Sequence, residues 1–226
     1  MISAMTTSPL FGIVLCISTF LLGRWLQEKT RSPLANPLLI STALCIAALC
    51  VLGIPYEDFS VGGDILTMML GPVTAVLALG IYNQYAVLKR YFWPVLLGCT
   101  AGSLTSMLSI LGLCRLFGVD EAVTAAMVPK SCTTPIAVSI AESHGGLAAI
   151  AAACVMIAGL TGSLCAPLFV KWFRIHDPVA QGLATGACSH ALGTIKAREM
   201  GELQGAMSSI AMGVCGLISV IIAIFL

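Results

Sequence analysis

Lys130 is the residue in this chain that most needs a chemical explanation. It stands in the run Met127-Val128-Pro129-Lys130-Ser131-Cys132-Thr133-Thr134-Pro135, where a lysine, three hydroxyls and two prolines interrupt an otherwise apolar stretch. An ammonium beside hydroxyls suits an anion. Proline lacks a backbone N–H, so Pro129 should free the Ala125 carbonyl and Pro135 the Ser131 carbonyl, and a continuous helix is not expected here. Thr134 followed by Pro135 is also a helix-start pattern, a hydroxyl cap before a proline. A half-helix beginning there would point its positive dipole end at whatever lies beside Lys130.

A second run, Gly182 to Lys196, carries Ser189, His190 and Thr194 among Gly182, Gly186 and Gly193. Each glycine weakens a helix by roughly 1 kcal/mol relative to alanine. Thr194 follows His190 by four residues and would share its face on a continuing helix. With a reference pKa of about 6.5, His190 is the natural proton carrier if flux is proton-linked. The expected substrate-binding set is therefore Lys130, Ser131, Thr133, Thr134, Asn83, Ser189, His190 and Thr194, with Pro129, Pro135, Gly186 and Gly193 as the helix-interrupting residues. No catalytic residue is expected: Lys130 and Ser131 are neighbours, which do not face each other on a helix.

The elements that must position these groups are membrane helices. Of 226 residues 58% are hydrophobic and 9% charged, and the mean hydropathy is +1.01, which excludes an ordinary soluble domain. A net charge of +1 without a basic stripe gives no reason to expect nucleic acid. The 10 cysteines lie in apolar stretches with no zinc-ligand spacing and read as small buried hydrophobes, so neither metal nor cofactor is expected. Leu10 to Leu22 lacks a basic segment before it and a cleavage site after it, and reads as a retained helix in the plasma membrane.

At about 20 residues per span, Pro9 to Leu26, Asn36-Pro37 to Gly53, Asp64 to Tyr85 (broken at Gly71-Pro72) and Trp93 to Phe117 are the first four spans. Arg24, Lys29 and Arg31, then Lys89 and Arg90, mark the inner face, which puts Glu57, Asp58 and Asp64 in an outer loop, Asp120 and Glu121 outside, and the N-terminus outside. Simple alternation then puts Lys171 and Arg174 outside, against the positive-inside rule. Three readings stay open: the first motif is re-entrant, the basic loop is tolerated outside, or the N-terminal orientation is reversed. Interrupted helices at both motifs are the reading adopted here. Lys196 and Arg198 mark the inner interface, and Ala206 to Leu226 is the last span after a polar Glu199 to Gln204 loop. The expected fold is thus an all-α polytopic membrane protein, one integral membrane domain over 1–226. It has about seven to eight transmembrane segments, two of them interrupted (around 129–135 and 182–194), in a spacing compatible with an internal inverted repeat.

Taken in order, Pro129 to Ala137, Gly145-Gly146, Arg174-Ile175, Asp177-Pro178 and Ser189-His190-Ala191-Leu192-Gly193-Thr194 resemble the LrgB/CidB family, as do Asn36-Pro37-Leu38 and Gly71 to Gln84. The resemblance covers essentially the whole chain. It implies an antiholin-like bacterial membrane protein that affects murein hydrolase activity and autolysis beside an LrgA/CidA-type membrane partner. The family's plastid relatives move glycolate and glycerate, and bacterial members are linked to pyruvate uptake, so small monocarboxylates are the implied substrates. Cys132 and Ala187 depart from the valine and threonine more usual there, which bears on substrate preference. The partners expected are a small carboxylate, the lipid bilayer, a second copy in a homo-oligomer such as a dimer, and the LrgA/CidA-type protein.

Three functions follow for comparison. A secondary transporter needs a polar midplane site, which the two interrupted motifs supply; a holin-like pore or regulatory partner needs a pore-lining amphipathic helix, which is not evident; an intramembrane enzyme needs an aligned nucleophile and base.

Lys130 lies about eight residues into its segment, roughly 12 Å at 1.5 Å per residue, where burial costs about 2.5 to 3.5 kcal/mol on insertion scales. Its plainer roles are snorkelling or an internal ion pair. The hydroxyls have a plainer role as caps, His190 as a satisfied core residue, and Asn83 as a cap.

Overall fold

The structure, a computed structural model, describes residues 6–30, 37–69, 72, 75, 79 and 82–225. The regular elements among them are all helices, so the chain is an all-α, multi-pass membrane protein. An apolar chain in lipid requires this, because backbone groups there have no water to bond and must satisfy one another. The described residues form two compact units, Met1–Val73 and Thr74–Leu226.

In the first unit, α1 (Pro9–Thr30), α2 (Pro37–Leu52) and α3 (Tyr56–Met68) pack through their smallest residues. The buried positions of α1 are Gly12, Thr19 and Gly23, while Leu10, Val14, Leu21 and Trp25 are exposed. That inside-out distribution is expected where lipid is the solvent and small residues allow close helix approach. Thr19 and Ser41 join α1 to α2 through a 2.9 Å hydroxyl contact. Glu57, Asp58 and Asp64 lie within α3 rather than in a loop. The expected break at Gly71-Pro72 falls on the boundary of the described residues, with Gly71 and Thr74 outside them.

The second unit contains α4 (Tyr85–Arg90), α5 (Phe92–Phe117), α6 (Glu121–Met127), a 3₁₀ turn (Val128–Ser131), α7 (Thr134–Ser143), α8 (Ala148–Trp172), α9 (Pro178–Met200) and α10 (Glu202–Ala223). By length and apolarity α1, α5, α8 and α10 can each cross a membrane. Both motifs fold back on themselves. In α9 the helix breaks at His190 (φ 44, ψ −123), and the second limb returns along the first: a methyl added at Gly193 would lie 2.7 Å from the Thr185 carbonyl oxygen. Eight residues of straight helix would separate those positions by about 12 Å.

Both limbs of α9 lie along α10. Gly186 in the first limb sits against Ser208, where an added methyl would come within 2.7 Å of the Ser208 Cα, and Thr194 in the second limb meets the Ser208 hydroxyl at 2.9 Å. The residues between α9 and α10 reduce to Gly201, in extended backbone, so the polar loop expected over Glu199 to Gln204 is helical except at this point.

The first motif is a second hairpin, α6 in and α7 out. Ala126, Ala141 and Ala151 form one buried cluster, and a methyl on Gly146 would lie 2.8 Å from the Ala126 nitrogen. Chain direction around these contacts places Lys89, Arg90, Lys171, Arg174, Lys196 and Arg198 at one end of the unit and Asp120, Glu121 and Glu142 at the other. Two hairpins entering from opposite ends remove the conflict with the positive-inside rule that simple alternation created.

Candidate functional site

The two hairpin tips meet in the middle of the second unit. Pro135 has no N–H to offer the Ser131 carbonyl, and the structure shows where that freed acceptor goes: His190, at the tip of the other hairpin, donates to it through Nε2. A carbonyl only accepts, so Nε2 carries the proton and Nδ1 is the second ring nitrogen left for other chemistry. His190 is 3% exposed. A non-glycine residue with this backbone conformation costs about 1–3 kcal/mol and persists only where its surroundings enforce it; the tip-to-tip bond and the packing of both limbs on α10 do so.

Lys130 occupies the same tip as Ser131. Its ammonium lies 3.5 Å from the Ser106 hydroxyl of α5 and 3.4 Å from that of Ser131, and Ser106 donates to Ser131 at 2.7 Å. The expectation that Lys130 and Ser131 would point apart fails because the stretch is not α-helical: Pro129 (φ −81, ψ 16) departs from helical geometry within the 3₁₀ turn and Cys132 after it is extended. Lys130 makes no ion pair with any described carboxylate; the ion pairs among described residues are Arg24–Glu28 and Lys196–Glu199.

Four buried polar atoms have no hydrogen-bond partner among the described residues: Ser103 Oγ, Thr133 Oγ1, Ser189 Oγ and His190 Nδ1. Ser103 is one turn from Ser106 on α5, Thr133 follows Ser131 by two residues, and Ser189 precedes His190. Native interiors rarely leave such atoms unpaired, since each costs about 1–3 kcal/mol.

The other expected residues divide. Thr194 donates to the His190 carbonyl at 2.8 Å and contacts Ser208, so it braces the tip against α10. Thr134 is the first residue of α7, half-buried; the cap position belongs to Thr133, whose carbonyl accepts from Ala137 N at 2.9 Å and whose hydroxyl caps nothing. Gly186 and Gly193 do not interrupt α9; they allow its limbs to approach α10 and each other, and the break is at His190 itself. Asn83 is exposed ahead of α4. Ser103 and Ser106 are the α5 contribution to the site.

Each hairpin brings one helix N-terminus (Thr134; Ala191) and one C-terminus to its tip. The chemistry gathered here is an ammonium with no described carboxylate partner, hydroxyls from three elements and a histidine nitrogen, with no group of three or more metal-ligating side chains among the described residues.

No solved structure matches the chain. Among known proteins it is 38% identical over 206 residues to the uncharacterized protein YxaC of Bacillus subtilis (strain 168), covering 91% of this chain and 90% of that one. It is 36% identical over 218 residues to the antiholin-like protein LrgB of the same organism, covering 96% and 94%. It is likewise 36% identical over 220 residues to the antiholin-like protein LrgB of Bacillus cereus (strain B4264), covering 97% and 96%. The model of the LrgB-like family matches residues 16–226, and with these relatives it shows that the chain belongs to the LrgB-like family.

Proposed function

We propose that the protein is a secondary transporter of small monocarboxylates of the pyruvate, glycolate and glycerate kind, acting in the bacterial plasma membrane. The observation that carries this reading is the Lys130 ammonium, held at the first hairpin's tip against the Ser106 and Ser131 hydroxyls without a described carboxylate partner. A charge inside a membrane bundle is costly and marks a substrate or ion path unless paired. A carboxylate would supply the missing countercharge, and its oxygens would accept from Ser103, Thr133 and Ser189. The start of α7 adds the positive end of a helix dipole at the same tip. His190 Nδ1 is the proposed proton site; protonation there leaves the Nε2 bond to Ser131 in place.

The test is uptake of labelled pyruvate, glycolate and glycerate by vesicles containing the purified protein. Saturable, mutually competitive uptake supports the carrier. A second reading rests on the relatives named antiholin-like: a regulatory partner in murein hydrolase activity and autolysis, working with an LrgA/CidA-type protein or as a homo-oligomer. Non-saturating leak that appears only with such a partner would favour it.

A further inference from the structure

A cavity of about 500 Å³ opens at the acidic end of the second unit, between α5, both limbs of the first hairpin and the end of α10. Its rim carries Arg115, Glu121 and His144, and its walls are mainly apolar, Leu111 among them. Arg115 lies two turns beyond Met107 on α5, about 12 Å along the helix axis. His144 is already engaged, with its ring nitrogens on the Ile140 and Ala223 carbonyls. Arg115 and Glu121 make no ion pair with each other, so the guanidinium is available to an incoming anion.

The inner end of the cavity matters more. Met107 and Val128 line it and belong to one buried cluster, at 1% and 8% exposure. Met107 follows Ser106, which bonds Ser131, and Val128 precedes Lys130 by two residues. The cavity's inner lining is therefore contiguous along both elements with the groups that hold the ammonium.

We infer that this cavity is the outer vestibule of the route to Lys130, with Arg115 as the group that attracts a small carboxylate and the Met107–Val128 contact as its closed gate. The inference rests on the transporter reading. A constriction of apolar side chains blocks ion passage by excluding water, and parting α5 from the 3₁₀ turn would remove it. The gate residues sit on different elements, so a shift of the first hairpin relative to α5 is enough.

The experiment uses the full-length protein in vesicles. Ala125→Cys places a thiol on the cavity wall; a membrane-impermeant thiosulfonate added outside should modify it, as read by mass spectrometry of that peptide, and its modification should abolish uptake. Arg115→Gln should raise KM with the maximal rate unchanged, and Leu111→Trp should lose uptake at normal abundance. Modification only from the inner side, or normal saturable uptake after complete modification, would overturn the vestibule while leaving the carrier intact. If the unmodified wild type shows no saturable uptake at all, the transporter reading fails and the route fails with it, whereas the labelling result is read independently of flux.

Discussion

His190 Nε2 donates to the backbone carbonyl of Ser131, 59 residues earlier in the chain, and this one bond joins the tips of two hairpins that enter the bundle from opposite ends. The acceptor is available because Pro135 cannot use it, and the donor is correctly aimed because His190 adopts a positive φ. Sequence chemistry on one hairpin and backbone geometry on the other therefore specify a single contact.

Replacing His190 separates these two contributions. His190→Ala keeps the unfavourable backbone and loses the donor, leaving a buried carbonyl unsatisfied at a cost of about 1–3 kcal/mol. His190→Gly loses the same donor but relaxes the backbone, so it should be more stable than the alanine variant by about 1 kcal/mol or more. A thiol-reactive dye that reports unfolding through the buried Cys99, Cys132 and Cys215 would rank the variants. Equal melting temperatures for the two would show that the tip carries no backbone strain.

Lys130→Met keeps most of the stem and deletes the charge. Monocarboxylate uptake should fall to background with normal abundance, because removing an unpaired charge from a bundle does not harm folding. Lys130→Arg should restore uptake only in part, since a planar fork does not fit a site built around a compact ammonium. Saturable uptake at the wild-type level in Lys130→Met would remove the lysine from the site.

If His190 Nδ1 carries the coupled proton, His190→Ala should flatten the dependence of uptake on pH. Comparing initial rates across pH with Thr194→Ala, which disturbs the bracing of the tip and leaves the imidazole, separates proton coupling from loss of structure. An unchanged profile in His190→Ala would make the imidazole purely a tether.

Two hairpins that enter the bundle from opposite ends predict sidedness. Thiols placed at Asp120 and Glu142 should react with an impermeant reagent from the same face, and thiols at Arg174 and Arg198 from the opposite one. Glu142 and Asp120 on different faces would mean that the first motif crosses the membrane.

Much of the site was legible in residue types. Proline, lysine and hydroxyls together announced an interrupted segment, and the basic and acidic clusters already contained the hairpin topology in the form of an apparent violation of the positive-inside rule. The location of the second break was not legible. Glycine is where a break is cheapest, so Gly186 and Gly193 were the reasonable candidates. Yet small residues in lipid are also what lets helices touch, and here packing against Ser208 and Thr185 takes the glycines while the break falls on histidine. The role of Ser103 and Ser106 was hidden for a related reason: isolated serines on a membrane helix look like packing residues until another chain segment is placed against them. Lys130 and Ser131 were expected to diverge because helical geometry was assumed across residues that prolines hold out of it.

The one-residue connection at Gly201 gives the two hairpins unequal mechanical support. The second hairpin is fastened along its length: Gln181 meets Gln204 at 3.2 Å, Thr194 meets Ser208 at 2.9 Å, and Gly201 allows no slack before α10 begins. It should therefore behave as part of a stiff girder with α10, so that deformation concentrates in the first hairpin, whose own ends are longer turns at Gly118-Val119 and Gly145-Gly146. Compliance in the second unit should therefore be one-sided.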